Sequence, residues 1–377
     1  MAVANYGVNV TISADAARPI AVESLTPIGV CGYQEGLKEG LYFYLNTSAA
    51  IKALKELGDG SIKKAVDAID DQAVETPIIL SVFKKESGSG GDMTLTNVIS
   101  AIEDLKNAKS KFGYAPNIII CPEFSGEDAI KGALETLSSR LRATAIVDLK
   151  AGDVAGAITK MKDFGSRRLI ATYPEVKVFD KKSGEYIFEG QSSRIAGLIA
   201  ATDGAWEYGF SDSYSNRVVK GVYGTKVPID FELGEGSCAA DMLRSAKIST
   251  IINHQGYRAW GGETSDQDSI WQDLTRVRVF DRISDACQKG VLFAIDKRAD
   301  QLYHAKRSVE ELLRALVGAW VVLGFELSWS EKNTAANITA GKFYLDIRMQ
   351  NNPIVKQLTL DFIYVDKYGD VLLDKIK

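Results

Sequence analysis

Two hydrophobic periods divide the chain. Near its start Tyr6, Val8, Val10 and Ile12 alternate with Gly7, Asn9, Thr11 and Ser13, the period-two pattern of a strand with one buried face. Asp15 and Pro19 stop it. A single strand is not stable alone, so this segment must pair with a sheet of its own chain or of another copy. Period two returns at the far end, where Phe343, Leu345, Ile347 and Met349, and then Leu358, Leu360, Phe362 and Tyr364, alternate with polar or smaller positions on either side of Gln350 to Pro353. These runs predict an antiparallel pair, followed after Tyr368 to Asp370 by a short apolar tail containing Val371 and Leu372. Loose strands at both termini and a hairpin with open edges are the parts needed for strand addition between subunits.

Between the ends, short β-branched runs alternate with helical stretches. Strands are predicted at Ile78 to Phe83, Asn117 to Cys121, Ala143 to Asp148 and Arg168 to Thr172, and helices at Asn97 to Lys111, Asp128 to Leu141 and Val154 to Phe164. Strand-helix-strand alternation with strands apolar nearly throughout predicts a mostly parallel sheet with flanking helices, an α/β fold. Val176 and Val178, then Tyr186 and Phe188, flank Asp180 to Glu185 as a hairpin. Small residues from Ile195 to Asp203 predict a closely packed helix. A C-terminal α+β region begins near Gly234, with helical patterns at Ala239 to Ile252, Ile270 to Gly290 and Ser308 to Leu323. In the last of these Val309, Leu312, Leu313, Leu316, Val317 and Trp320 form one stripe.

Composition narrows the function classes. With 377 residues the chain exceeds one core, and a 46% apolar, 25% charged content is that of a globular protein. Lys plus Arg number 45 against 49 Asp plus Glu, a net charge of -4, which gives no reason to expect nucleic acid or an acidic membrane as partner. No apolar run approaches the roughly 20 residues of a membrane span. The first residues lack a secretory pattern, so the product is expected to stay in the cytosol. The four cysteines, Cys31, Cys121, Cys238 and Cys287, show no paired spacing.

Catalytic patterns are lacking. His254 and His304 have no metal-ligand spacing, and no phosphate loop, dinucleotide fingerprint or nucleophile elbow occurs. Asp148, at the end of a predicted parallel strand, is the best position for an enzyme, because open α/β sheets bind ligands there. The flexible Ser87 to Asp92 stretch reads as an exposed loop, and an enzyme would use its Gly88 to Gly91 part beside Asp148. Two readings of other classes therefore stay open at this point: a doubly wound α/β enzyme using Asp148, and a non-contractile structural or adhesion protein that adds strands.

The residues Gly256-Tyr257-Arg258-Ala259-Trp260-Gly261, with Thr264, Trp271, Arg276 and Arg278, resemble a signature of contractile-tail sheath proteins. Arg18-Pro19-Ile20, Pro27-Ile28-Gly29, Gly165-Ser166-Arg167, Tyr173-Pro174, Asn216, Gly341 to Asp346, Leu358 to Leu360 and Asp366-Lys367-Tyr368 follow in family order. The resemblance to the sheath family of temperate contractile-tailed phages therefore covers nearly the whole chain. Glu263 departs from it, because the family usually has a basic residue there.

What the resemblance implies is a mechanical polymer needing no cofactor, catalytic group or metal. Stacked hexameric rings surround an inner tail tube, end at a baseplate and a tail terminator, and contract to drive the tube through a target envelope. The subunit would belong to the virion tail and assemble in the host cytoplasm. It would have an arm at 1–19 packing with the C-terminal domain or neighbouring subunits, an outer α/β domain at 20–233, and an inner domain at 234–377 carrying a hairpin and a C-terminal arm. Tyr6, Val8, Val10, Ile12, Phe343, Leu345, Ile347, Leu358, Leu360, Phe362, Tyr364, Val371 and Leu372 would serve as the interface arms, and Lys297, Arg298, Lys306 and Arg307 would face the tube.

Overall fold

A computed structural model describes residues 18–85, 91–180, 182–234 and 236–376. The expected N-terminal strand, Tyr6 to Ile12, and most of the Ser87 to Asp92 loop lie outside the described residues. The first half runs β1 (Ile28–Gly32), β2 (Gly40–Tyr44), α1 (Thr47–Leu54), α2 (Ser61–Asp70), β3 (Ile78–Val82), α3 (Gly91–Asp104), α4 (Ala108–Phe112) and β4 (Ile118–Ile120). It continues with α5 (Asp128–Leu141), β5 (Thr144–Asp148), α6 (Val154–Met161), β6 (Leu169–Thr172), β7 (Val176–Phe179), β8 (Tyr186–Glu189) and α7 (Ser192–Asp203). The rest comprises β9 (Gly224–Thr225), α8 (Ala239–Ser245), β10 (Ile248–Asn253), β11 (Tyr257–Trp260), α9 (Leu274–Gly290), α10 (Gln301–Gly318), β12 (Val322–Trp329), α11 (Ala335–Thr339), β13 (Leu345–Asn351) and α12 (Gly369–Ile376).

An eight-stranded sheet in the order β11-β10-β6-β5-β4-β1-β3-β2 is the centre of the molecule. Its inner strands are parallel, and β2 and β11 join the two edges antiparallel. Both faces are covered, which is why its strands read as continuous apolar runs. Ile78, Leu80, Ile118 and Ile120 enter the core on one face with α1, α2 and α7. Ile79, Ile119, Ala145 and Val147 enter the other with α3, α5 and α6. Gly197 permits the close approach of α7 to α2, because a Cβ there would lie 3.0 Å from the Ile69 Cα and carbonyl oxygen. β7, β8 and β9 form a small antiparallel sheet that includes the expected hairpin.

Several expectations are corrected. The helix expected over Ala239 to Ile252 ends at Ser245: Lys247 takes a positive φ of 65°, and the β-branched run from Ile248 continues as β10 beside β6. A short apolar run fits either period, and here the sheet edge decides it. The main sheet therefore takes strands from both sides of position 234, and the expected division between a 20–233 domain and a 234–377 domain passes through it. The distinct C-terminal core is formed instead by α9, α10 and β12, where Val279, Ile283, Leu313, Leu316 and Val322 meet. Ile20 and Val22 pack against it, so residues 20–22 belong with this unit too. α10 spans Gln301–Gly318, earlier than expected; Trp320 lies beyond it at a φ of 59° and is 73% exposed, so it leaves the stripe.

Candidate subunit interface

β12 and β13 form a two-stranded antiparallel sheet, with Trp329 opposite Leu345 and Phe325 opposite Met349. One face rests on α10 through Phe325, Leu327 and Met349. No third strand joins it among the described residues, so the outer edge of each strand offers unpaired main-chain groups. The pairing of Phe343–Met349 with Leu358–Tyr364 expected from alternation is thus corrected: β13 pairs with the preceding β12. The alternation identified a strand face correctly and did not identify its partner. Pro353, which has no N–H to donate, lies just after β13 and turns the chain off the sheet.

From there the chain runs without helix or strand to the turn before α12. Its apolar side chains meet water: Leu358 is 76% exposed, Phe362 93% and Tyr364 90%, and Leu360 is similarly open. Val371 and Leu372, expected in a short apolar tail, project from α12, and both are more than half exposed. Covering an exposed Leu or Phe is worth about 1.5–3 kcal/mol, so this arm carries on the order of 10 kcal/mol of unrealised burial. Lys356 ties its base to the body through Glu263 at 3.0 Å. Phe343 and Ile347, on the hairpin, are more than one-third exposed, while Leu345 is half-buried.

The four basic residues expected together fall into two places. Lys297 and Arg298 occupy an exposed loop, where Arg18 stacks on Phe293 at 4.3 Å and lines the same shallow concavity. Lys306 and Arg307 sit on α10, with Arg307 ion-paired to Glu311 at 3.5 Å and Lys306 5.9 Å from the Trp329 ring.

The signature segment is a structural staple. The β10–β11 hairpin turns through Gln255 and Gly256, both at positive φ, and β11 then binds the chain at 216–219. Asn216 N–H donates to the Ala259 carbonyl at 2.6 Å, Val219 N–H donates to the Tyr257 carbonyl at 2.8 Å, and Arg258 donates to the Asn216 carbonyl at 2.7 Å. Trp260 donates to Asp241 at 3.1 Å and packs between Phe231 and Arg244. Gly261, at a φ of 130°, passes so close to β10 that a Cβ would lie 2.8 Å from the Ser249 Cα. Thr264 closes the following loop by donating to the Trp271 carbonyl at 2.7 Å.

Glu263 accepts from Arg244 at 3.4 Å and from Lys356 at 3.0 Å, so the departure from the family pattern is compensated by local cations. Burial pushes its carboxyl up, but Arg244 and Lys356 more than offset this and hold it below its ordinary value. A depressed carboxyl contributes stability that is present above its unfolded value and lost as pH falls through the folded one. Glu263→Gln is therefore expected to cost about 1 kcal/mol in chemical denaturation at neutral pH, and the difference from the parent should vanish in acid.

Asp148 ends β5 at a cleft of about 490 Å³ that also contains Ser61, Lys64, Lys150 and Glu189. Burial raises its carboxyl, with Ser192 and Thr172 opposing the shift. One oxygen accepts from Thr172 Oγ1 at 2.8 Å and from Ser192 N–H at 2.9 Å, and the other accepts from the Ser192 hydroxyl. Asp148 thus holds the start of α7. In Asp148→Asn the retained oxygen can keep the first two bonds, and the Ser192 hydroxyl can turn to accept from the amide. The raised carboxyl makes its charged form costly as pH rises, so the variant is expected to stay within about 1 kcal/mol of the parent at neutral pH and to assemble normally, as measured by denaturation and sedimentation.

A cluster that the sequence reading overlooked lies on α9. Asp203, the last residue of α7, is fully buried and accepts from Thr26 and Arg278; Arg282 lies 3.5 Å from the same oxygen and donates to Thr26 Oγ1 at 2.7 Å. One turn away, Arg168 grips Asp281 with two hydrogen bonds, the longer at 2.9 Å. These ion pairs join the C-terminal unit to the main sheet. The visible signal was Arg278 and Arg282, four apart in a run with Asp281, which reads equally well as a solvated helix face.

No family model matches the chain. It is 31% identical to a prophage major tail sheath protein of Pseudomonas aeruginosa, covering 98% of each. It is 24% identical to the tail sheath protein of Escherichia phage P2, covering 97% of this chain and 96% of that one. In fold it resembles the helical sheath of the anti-feeding prophage in its contracted state, with a TM-score of 0.68 and 17% identity over 96% of this chain and 99% of that one. It also resembles the contracted sheath of the PVC extracellular contractile injection system, with a TM-score of 0.72 and 15% identity over 97% and 99%. A relationship at 31% identity over nearly the full length of a tail sheath protein, a shared fold and the ordered signature residues lead to one assignment: the chain belongs to the contractile tail sheath protein family and is a structural subunit, not an enzyme.

Proposed function

We propose that this subunit polymerises as stacked hexameric rings around an inner tail tube and shortens to drive that tube through a target cell envelope. The observation that carries this reading is the exposed apolar arm at 354–376 beside a two-stranded sheet with open edges. The arm suits strand addition to the β12–β13 sheet of a neighbouring copy, with Leu358, Leu360, Phe362 and Tyr364 on one side of the added strand. Tyr6 to Ile12 would add a strand from another copy. Main-chain pairing survives rotation of the compact units when the linking segments absorb the angle, so copies can stay joined while their faces re-pack.

Arg18, Lys297 and Arg298 form our choice of tube-facing contact, while Lys306 and Arg307 lie apart from it on α10; charged rim contacts contribute to encounter and release readily. A baseplate and a terminator protein would close the two ends, and assembly would take place in the host cytoplasm before the sheath joins the virion tail. Negative-stain electron microscopy over a range of concentrations tests the polymer: hollow striated tubes are expected. A dispersed particle of fixed size at every concentration, with and without an inner tube protein, would contradict it.

A further inference from the structure

The last helix carries an apolar side that its own chain leaves uncovered. Leu372 and Ile376, four residues apart, share that side of α12 and are 63% and 68% exposed. The C-terminal unit has a matching concavity of about 640 Å³ beside α10, lined by Tyr303, Trp329, Ile338 and Phe343. All four side chains are at least one-third exposed, and Lys306 lies at the groove near the Trp329 ring.

We propose that α12 of one copy docks in this groove of a neighbouring copy, as a helical anchor beyond the exchanged strand. The occupant follows from the chain itself. Every copy carries one such helix and one such groove, and both stay open among the described residues of the single chain, so a second copy satisfies each in turn. That arrangement is head-to-tail and extends without closing on a pair, as a helical polymer requires.

Direction supports the same occupant. A strand added antiparallel to β13 runs toward Leu345, which faces Trp329 in register. It therefore ends at the groove. The five residue-to-residue steps from Tyr364 to Gly369 can reach on the order of 16 Å, enough to bring α12 from the sheet edge onto α10. Asp366, on that connection, supplies a carboxylate for Lys306. The inference rests on the reading of the arm as exchanged between copies, and it adds a second contact of different kind, side chains in a groove instead of main-chain pairing.

The test uses full-length chains in which half-buried Cys287 is replaced by Ala, with one batch carrying Ile338→Cys and another Leu372→Cys. Both positions are exposed in the single chain, so folding is not at stake. Mixed and mildly oxidised, the two batches are expected to give disulfide-linked dimers that neither batch gives alone. Leu372→Asp with Ile376→Asp is expected to raise the protein concentration needed for polymers at least about tenfold. Polymers that are lost on deletion of residues 354–377 but show no link between the two batches would overturn the docking and leave strand exchange standing. Polymers indifferent to that deletion would overturn both. A link formed within one chain carrying both cysteines, and not between chains, would overturn docking between copies.

Discussion

Removal of residues 354–377 is expected to abolish long polymers while the rest of the chain stays folded. Among the described residues the segment contributes no side chain to the buried cores, and Lys356 pairs with Glu263 of the body. Losing that pair should cost no more than about 1 kcal/mol. The intermolecular loss is far larger. Burial of the arm is worth on the order of 10 kcal/mol before ordering costs, and ordering an extended segment takes back several kcal/mol. A remaining gain of about 3 kcal/mol still changes association by roughly a hundredfold. Sedimentation and electron microscopy should show dispersed protein at concentrations where the parent polymerises, with a circular dichroism spectrum that changes by no more than the loss of α12. Polymers of unaltered length would show that the arm does not join the copies.

Asp203→Ala is expected to be the most damaging single substitution within the subunit. It leaves Arg278 and Arg282, both largely buried, side by side without their carboxylate, and Thr26 without its acceptor. Breaking a buried pair by removing one partner costs about 3–5 kcal/mol, because an uncompensated charge remains. Replacing the whole group by apolar residues, as Asp203→Leu with Arg278→Met and Arg282→Met, should recover most of that loss, because desolvation of the charges is removed together with their attraction. Denaturant midpoints of the single and triple variants measure both effects. A single variant within 1 kcal/mol of the parent would mean that the cluster does not hold α9 to the sheet.

Local order was legible where one physical rule decided it. The helix at Asp128–Leu141 was expected with the bounds it has, because its apolar spacing is clear and the strands on either side are continuous apolar runs. The hairpin around Asp180 to Glu185 was legible from turn residues between alternating strands. Partner choice was not. The alternation from Leu345 to Met349 fits β13, yet alternation is blind to which neighbour completes the sheet, and β12 was missed because its first residues, Val322 and Leu323, were read as the end of a helix and the rest as no element. The α8–β10 boundary failed for a related reason: Lys247 adopts a left-handed conformation that its residue type does not announce. The strand expected at Leu358 to Tyr364 does not form in the single chain, where these residues are exposed and belong to neither helix nor strand. Arg18 escaped notice as a companion of Lys297 and Arg298 because only the fold brings it to Phe293. The Asp203 cluster was illegible because its members are spread from Thr26 to Arg282.

Cryo-electron microscopy of the assembled polymer, at a resolution that separates strands, tests most directly whether the copies are joined by their arms. The expected map shows residues 358–365 of each copy lying along the β12–β13 sheet of a neighbour as an added strand, with α12 following toward the Trp329 end. A map in which every arm folds back on its own copy, and neighbours meet only through their compact faces, would contradict it.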